Sequence, residues 1–201
     1  MLKLNYSGFS LEVGTDEAGR GCLSGPVVAA AVILPKDFFH PFLNDSKQLS
    51  EKKREELKPF IEQNALAFGV SFVWQDEIDE INILQATFRA MERSISKLPV
   101  PDHILIDGNK LPPNLPSPAT AIIKGDSKSA SIAAASIVAK VIRDELMVDL
   151  SVKYPGYGWE KNAGYGTKMH QLGLLNNGVT PHHRRSFKPI HNMLYSASPR
   201  K

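Results

Sequence analysis

Apolar and polar positions along this chain follow two different periods, and each change of period marks an element. "GFSLEVGTD" and "PVVAAAVILP" are short apolar runs joined by a glycine-rich turn, which predicts two strands. "LAFGVSFVW" alternates in Phe68, Val70, Phe72 and Trp74 and predicts a third strand with one buried face. Between them, Ser50 followed by Glu51 and Glu55 reads as the capped start of a short helix, which Pro59 must kink or end. The strongest helical pattern is "DEIDEINILQATFRAMERSISKL", where Ile81, Leu84, Phe88, Met91, Ile95 and Leu98 recur at three- and four-residue steps. "HILID" and "TAIIKGD" are two further strands, separated by the proline-rich loop "KLPPNLPSPA". "DSKSASIAAASIVAKVIRDEL" is a helix rich in Ala and Ser, which permits close packing on a sheet. From about Ser151 the chain reads as short helical pieces broken by Gly, Pro and aromatic residues. There is no internal repeat. The order predicts an α/β fold, a sheet with helices on both faces.

Composition narrows the class without deciding it. A chain of 201 residues with 42% hydrophobic and 22% charged positions is long enough for one domain with a sizeable core. No run is apolar enough to span a bilayer, and "MLKLNYSGFSLEV" lacks the pattern of a signal peptide, so a cytoplasmic protein without a membrane partner is expected. The single cysteine, Cys22, excludes an internal disulfide framework and a multi-cysteine zinc site. Net charge is only +3, but residues 150–201 hold 8 basic against 1 acidic side chain, together with four of the six histidines. That stretch is either a solvated basic face or an electrostatic footprint for a polyanion.

The acids carry more information. Asp16 and Glu17 close the first predicted strand, Asp107 closes "ILID" and Asp126 closes "IIKGD". Sites in α/β sheets gather beyond strand ends, although a single acid there is commonly a turn former, and Asp126 alone reads equally as the N-cap of the next helix. Four carboxylates together repel unless a cation or a proton intervenes. All-oxygen ligands favour Mg²⁺ or Mn²⁺ and suit phosphoryl transfer. Neighbouring strand residues point to opposite faces, so Asp16 and Glu17 share a site only at a strand end or bulge, or else one points elsewhere. Arg20, between Gly19 and Gly21, is placed to meet a phosphate with help from exposed backbone amides. Lys47 in "NDSKQLS" is a solvated lysine or a phosphate contact, and Tyr165 in "AGYGT" covers apolar surface or stacks on a base or sugar. "HHRRSF" is a phosphate or structural element rather than a zinc site, and Cys22 reads as a small filler.

Together, "GTDEAGRGCLSGPVVAAAV", "NDSKQLSEKKREEL", "ILIDGN", "IIKGDSKSASIAAASIVAKVIRDELM", "YPGYGWEKNAGYGTKMH" and "GVTPHHRRSF" resemble bacterial ribonuclease HII over roughly residues 9–190. Ribonuclease HIII fits worse, because Gly-Arg-Gly is intact and no long N-terminal extension is present. The resemblance implies a ribonuclease H-like fold with a mixed five-stranded sheet: a catalytic core over residues 1–150 and a helical, basic, substrate-binding portion of the same domain over 151–201. It implies hydrolysis of RNA in RNA–DNA hybrids and incision 5′ of ribonucleotides embedded in duplex DNA, by water activated with Mg²⁺ or Mn²⁺, leaving 3′-hydroxyl and 5′-phosphate ends. By motif, Asp16, Glu17, Asp107 and Asp126 become metal-binding catalytic acids. Gly19, Arg20 and Gly21 become the contact to the ribonucleotide 2′-hydroxyl and its phosphate, Tyr165 the aromatic on the sugar at the RNA-to-DNA junction, and Lys47 a substrate-backbone contact. A monomer is expected. The competing readings are a DNA nuclease of the same fold and a non-catalytic nucleic-acid-binding module; the Gly-Arg-Gly and Gly-Tyr-Gly pair argues against the first and four intact acids against the second.

Overall fold

The computed structural model describes residues 2–44 and 46–195, with only the backbone for Lys47. Among the described residues, five strands form one sheet in the order β3-β2-β1-β4-β5. Strands β1 (Glu12–Ala18), β2 (Val27–Ile33) and β3 (Ala67–Val73) are an antiparallel meander, whereas β4 (His103–Asp107) and β5 (Ala119–Ile122) run parallel to β1. The sheet is therefore mixed, as expected. Helix α2 (Gln75–Ile95) packs on one face, with Ile78, Ala90, Met91 and Ile95 against Val13, Ala31 and Ile106. Helices α1 (Glu51–Asn64) and α3 (Ala130–Lys153) cover the other face, where Leu57, Ile61, Ala134 and Val138 meet Ala30 and Val32. Because both faces are covered, all seven positions of β2 are buried, which is why "VVAAAVI" reads as an unbroken apolar run.

The small residues of α3 bring it onto the sheet backbone: a Cβ built on Gly14 would lie 2.3 Å from the Ile132 amide nitrogen. The same approach delivers the next turns of α3 to the end of β1, where the acids sit. Ser129 caps α3 by accepting from the Ile132 amide, so Asp126 is not its N-cap. Asp126 also does not close a strand. β5 stops at Ile122, Lys124 turns left-handed at φ 55°, and Asp126 follows in a short 3-10 turn, Gly125–Ser127.

Three further sequence expectations are corrected. The buried face of β3 is Gly69, Ser71 and Val73, while Phe68 and Trp74 are 40% and 38% exposed. β3 is an edge strand, and α2 lies so close over it that a Cβ on Gly69 would be 2.4 Å from the Ser94 carbonyl oxygen; only small side chains fit beneath the helix. The long helix is also interrupted: Asn82 has φ 67° and ψ 163°, and its Oδ1 accepts from the Leu84 and Gln85 amides, restarting the helix as a local cap. Pro59, by contrast, neither ends nor divides α1, which runs on to Asn64 with Ser50 capping its start.

The C-terminal pieces α4 (Trp159–Asn162), α5 (Lys168–Asn177) and α6 (Lys188–Tyr195) form a smaller core in which Tyr157, Trp159, Leu174 and Ile190 pack on Leu23 and Met147. No described helix is long and apolar enough to cross a membrane. The tail 196–201 lies outside the described residues.

Candidate active site

Strand register sets the geometry of the acids. Thr15 of β1 pairs with Ile106 of β4, so the next residues, Asp16 and Asp107, occupy equivalent positions on neighbouring parallel strands. Both face α3. Glu17 lies within β1, paired with Ala29, and faces α2 instead; it is regular strand, without a bulge, that separates the two adjacent acids. Asp16 and Glu17 therefore sit inside β1, which continues to Ala18, and not at its end. Two neighbouring clefts result. One is walled by Asp16, Asp107, Gly21, Ser136, Lys140 and Tyr165. The other, on the α2 side, is floored by Leu84, Phe88 and Met91; Glu17, Arg20 and Asp107 belong to both.

Asp107 is fixed from behind by the Gly125 amide, which donates to its Oδ1 at 2.6 Å. Gly125 admits no side chain, since a Cβ there would be 2.6 Å from Ile132 Cδ1 and 3.2 Å from Asp107 Oδ1. Asp126 is buried one residue beyond that amide, and neither cleft is lined by it. Among the described residues no three His, Cys, Asp or Glu side chains stand as a ready-made metal-holding group. The four expected acids are thus not one cluster: Asp16 and Asp107 share the α3 face, Glu17 turns to the α2 face and Asp126 is buried behind Asp107.

Burial, reinforced by the charges of Glu17 and Asp107, pushes the Asp16 carboxyl well above its ordinary range. Burial also raises Glu17, against a downward pull from Arg20, whose guanidinium lies 3.3 Å from Glu17 Oε1. The Glu17 amide donates to Asp16 Oδ1 at 2.7 Å, and Ser136, itself 2.9 Å from Ser46 Oγ, hydrogen-bonds the same carboxyl.

Gly19, Arg20 and Gly21 form the opposite lip. Two fully buried arginines support them, and neither was singled out in the sequence. Arg184 donates to the carbonyls of Gly19, Arg20 and Gly25 at 2.8, 2.9 and 3.0 Å. Arg143 donates to Ser24, Pro26 and Ala163 at 3.1, 3.0 and 2.8 Å. Gly19 has φ +93°, and a Cβ there would sit 1.9 Å from Arg143 Nε. Arg184 belongs to "HHRRSF", which is a structural element of this loop. One of the eight C-terminal basic residues is therefore internal, while Lys153, Lys161, Lys168, Arg185 and Lys188 are exposed.

Tyr165 is 44% exposed and reaches toward Gly21, where a Cβ would be 3.8 Å from its ring; Lys140 Nζ lies 5.9 Å from the ring centroid. Cys22 is buried under it, its thiol raised by that burial. Lys47 falls in a short 3-10 turn, Ser46–Gln48, whose carbonyl at Ser46 accepts from Arg54 at 3.0 Å; its side chain lies outside what the structure describes.

A family model for ribonuclease HII matches residues 13–190. The ribonuclease HII of Parabacteroides distasonis is 56% identical over 178 residues, covering 88% of this chain and 89% of that one. The crystal structure of the ribonuclease H2 from Pyrococcus horikoshii OT3 superposes with a TM-score of 0.73 at 26% identity, over 91% of this chain and 96% of that chain. Bst-RNase HIII, solved in complex with Mn²⁺, shares the fold at a TM-score of 0.68 and 20% identity, over 96% of this chain and 72% of that chain. The sheet order and helix placement are accordingly those of a ribonuclease H fold, and the chain belongs to the ribonuclease HII family, a hydrolase of the ribonuclease H type.

Proposed function

We propose that this chain hydrolyses the RNA strand of RNA–DNA hybrids and incises duplex DNA on the 5′ side of an embedded ribonucleotide. The observation that carries the reading is the facing of two walls across one cleft: Asp16 and Asp107 on one side, the Gly19–Gly21 loop and Tyr165 on the other. A hydrolytic site and a sugar-reading site so close together suit a single nucleotide.

The carboxylates fit a divalent cation. They are oxygen donors only, and burial together with repulsion from neighbouring carboxylates raises the Asp16 and Glu17 carboxyls, which a bound cation would relieve. Mg²⁺ in particular is held by one or two carboxylates with substrate phosphate and water completing its shell, which matches acids that do not form a closed cage. We assign Asp16 and Asp107 as the holding pair, with Glu17 across the strand and Asp126 behind Asp107 in the same set. Bound there, Mg²⁺ or Mn²⁺ would supply Lewis-acid activation of water and charge neutralisation at the scissile phosphate.

The chain's own groups do the rest. The loop amides meet the 2′-hydroxyl, the feature that separates RNA from DNA. Because that hydroxyl is read and is not the nucleophile, the ends left are 3′-hydroxyl and 5′-phosphate. Tyr165 covers the adjoining sugar, and Arg20 and Lys140 face phosphates, with Lys47 assigned as a further substrate-backbone contact by motif alone. The exposed cations of residues 151–201 follow the duplex backbone without reading sequence. One chain holds every one of these groups, so the proposed working unit is a monomer.

The test is a labelled DNA duplex containing one ribonucleotide beside an all-DNA control. Incision of the first alone, dependent on Mg²⁺ or Mn²⁺ and absent with EDTA, supports the reading. Cleavage of both would make this a general nuclease, and binding without cleavage a recognition module.

A further inference from the structure

Arg184 is fully buried at the back of the Gly-Arg-Gly loop, and its partners there are backbone carbonyls. A trans peptide unit carries its C=O and the following N–H on opposite sides. When Arg184 draws the Gly19 carbonyl inward at 2.8 Å, the Arg20 N–H of the same peptide must point outward. When it draws the Arg20 carbonyl inward at 2.9 Å, the Gly21 N–H must point outward as well. Outward is the cleft: Arg20 and Gly21 are both exposed and line it with Asp16, Asp107 and Tyr165. Among the described residues neither amide donates to a backbone carbonyl. Two consecutive donors thus stand unspent toward the position where a sugar would lie.

Charge strengthens the arrangement. Arg143 lies beside the same loop, and its three hydrogen bonds also end on carbonyls, so two internal cations sit behind the amides. They place positive potential beneath the N–H groups and favour an oxygen acceptor in front of them. A neutral side chain at 184 would leave the inward Arg20 and Gly25 carbonyls without this donor and the Gly19 carbonyl with only the Cys22 amide at 3.3 Å, so both peptides would be held less firmly.

We propose that Arg184 is a positioning residue that sets ribonucleotide specificity, by locking the Gly19–Arg20 and Arg20–Gly21 peptides with both N–H groups toward the 2′-hydroxyl. The proposal rests on the functional reading above. It makes Arg184 distinct from the exposed cations of the C-terminal portion, which contribute affinity for any duplex.

The experiment measures binding in EDTA, so that cleavage plays no part. The wild-type chain and Arg184→Lys are titrated with two labelled duplexes identical except for one 2′-hydroxyl. Lysine keeps the charge but cannot reach three carbonyls in a fixed fork. The expected result is that the ribo-over-deoxy affinity ratio falls at least about fivefold, while affinity for the all-DNA duplex stays within about twofold. An unchanged ratio in the folded variant overturns the proposal, as does an equal loss on both duplexes. If Arg184→Lys does not fold, amide NMR of the wild-type chain decides: the Arg20 and Gly21 signals must shift differently with the two duplexes, and identical shifts overturn it. Equal affinity of the wild-type chain for both duplexes would remove the ribonucleotide reading and this inference with it, whereas a discriminating wild type with an equally discriminating variant removes the inference alone.

Discussion

His170 Nδ1 lies 3.0 Å from the carbonyl oxygen of Tyr165, so a fully buried imidazole holds the backbone of the exposed aromatic at the mouth of the cleft. The tautomers follow from the partners. His183 Nδ1 accepts from the Thr180 amide at 3.0 Å, which leaves the proton of His183 on Nε2. That proton is donated to His170 Nε2 at 3.0 Å, where the Trp159 indole N–H also arrives at 3.1 Å. His170 Nε2 is then the acceptor and Nδ1–H the donor to Tyr165. Replacing His170 with Phe strands a buried indole N–H, a His183 donor and a carbonyl. We expect a loss of about 2–4 kcal/mol in urea denaturation, and a smaller loss than about 0.5 kcal/mol would show that the chain of bonds is not what holds Tyr165.

The same pair predicts a pH dependence. Burial, with the neighbouring His170, holds His183 down to about 3. An unfolded histidine takes up its proton near pH 6.5. Between those values the unfolded state binds the extra proton and the folded state does not, so stability falls as pH drops from about 6.5 toward 3, by at most about 1.4 kcal/mol per pH unit. Above that window the group contributes nothing. Buried carboxyls titrate in an overlapping range with the opposite sign, so the quantity to measure is the difference between wild type and His183→Gln. A difference that stays flat from pH 7 to pH 4 would contradict this.

Asp16 illustrates a group that is unfavourable to the fold and needed by the proposed chemistry. Its raised pKa means that the folded chain keeps the proton longer, so its destabilising effect is absent at low pH and complete above the folded value. Asp16→Asn keeps an oxygen to accept from the Glu17 amide while removing the charge. In EDTA at pH 8 the variant should melt higher than wild type, with the gap closing toward pH 4. Mg²⁺ should raise the melting temperature of wild type and not of the variant, and cleavage should fall at least about 10³-fold. A variant that melts no higher at pH 8 would mean that the acids are already compensated within the chain.

The glycines of the loop separate fold from recognition. Gly19→Ala places a methyl at φ +93° and 1.9 Å from Arg143 Nε, and should destabilise by more than about 3 kcal/mol. Gly21→Ala meets only the Tyr165 ring at an ordinary 3.8 Å, so stability should change by less than about 1 kcal/mol. Its methyl nevertheless stands in the cleft, and incision at a ribonucleotide should drop at least about tenfold. Thermal melts and incision assays of the two variants must therefore diverge; parallel losses would refute the division.

Much of this arrangement is legible in the sequence because it is local. Short apolar runs locate the strands, Ser50 announces its helix, and the spacing of small residues in 130–139 foretells a helix lying on the sheet. What is not legible depends on partners distant in the chain. The reversed face of β3 follows from α2 crossing at Gly69, and the turn that buries Asp126 follows from Gly125 donating to Asp107. Arg143 and Arg184 read as two more cations in a basic half. Only the folded chain shows five of their six hydrogen bonds ending on carbonyls between Gly19 and Pro26, more than a hundred residues away. Nothing local in "VIRDEL" or "HHRRSF" marks either arginine as internal.

The most direct test of the account is the fate of one duplex, carrying a single ribonucleotide, with wild type, Asp107→Asn and Gly21→Ala in Mg²⁺. The account predicts a single cut 5′ of the ribonucleotide by wild type, leaving a 3′-hydroxyl and a 5′-phosphate. Asp107→Asn should bind the duplex as tightly and not cut it, and Gly21→Ala should cut it slowly. A cut that leaves a 2′,3′-cyclic phosphate, or undiminished cutting by Asp107→Asn, would contradict it.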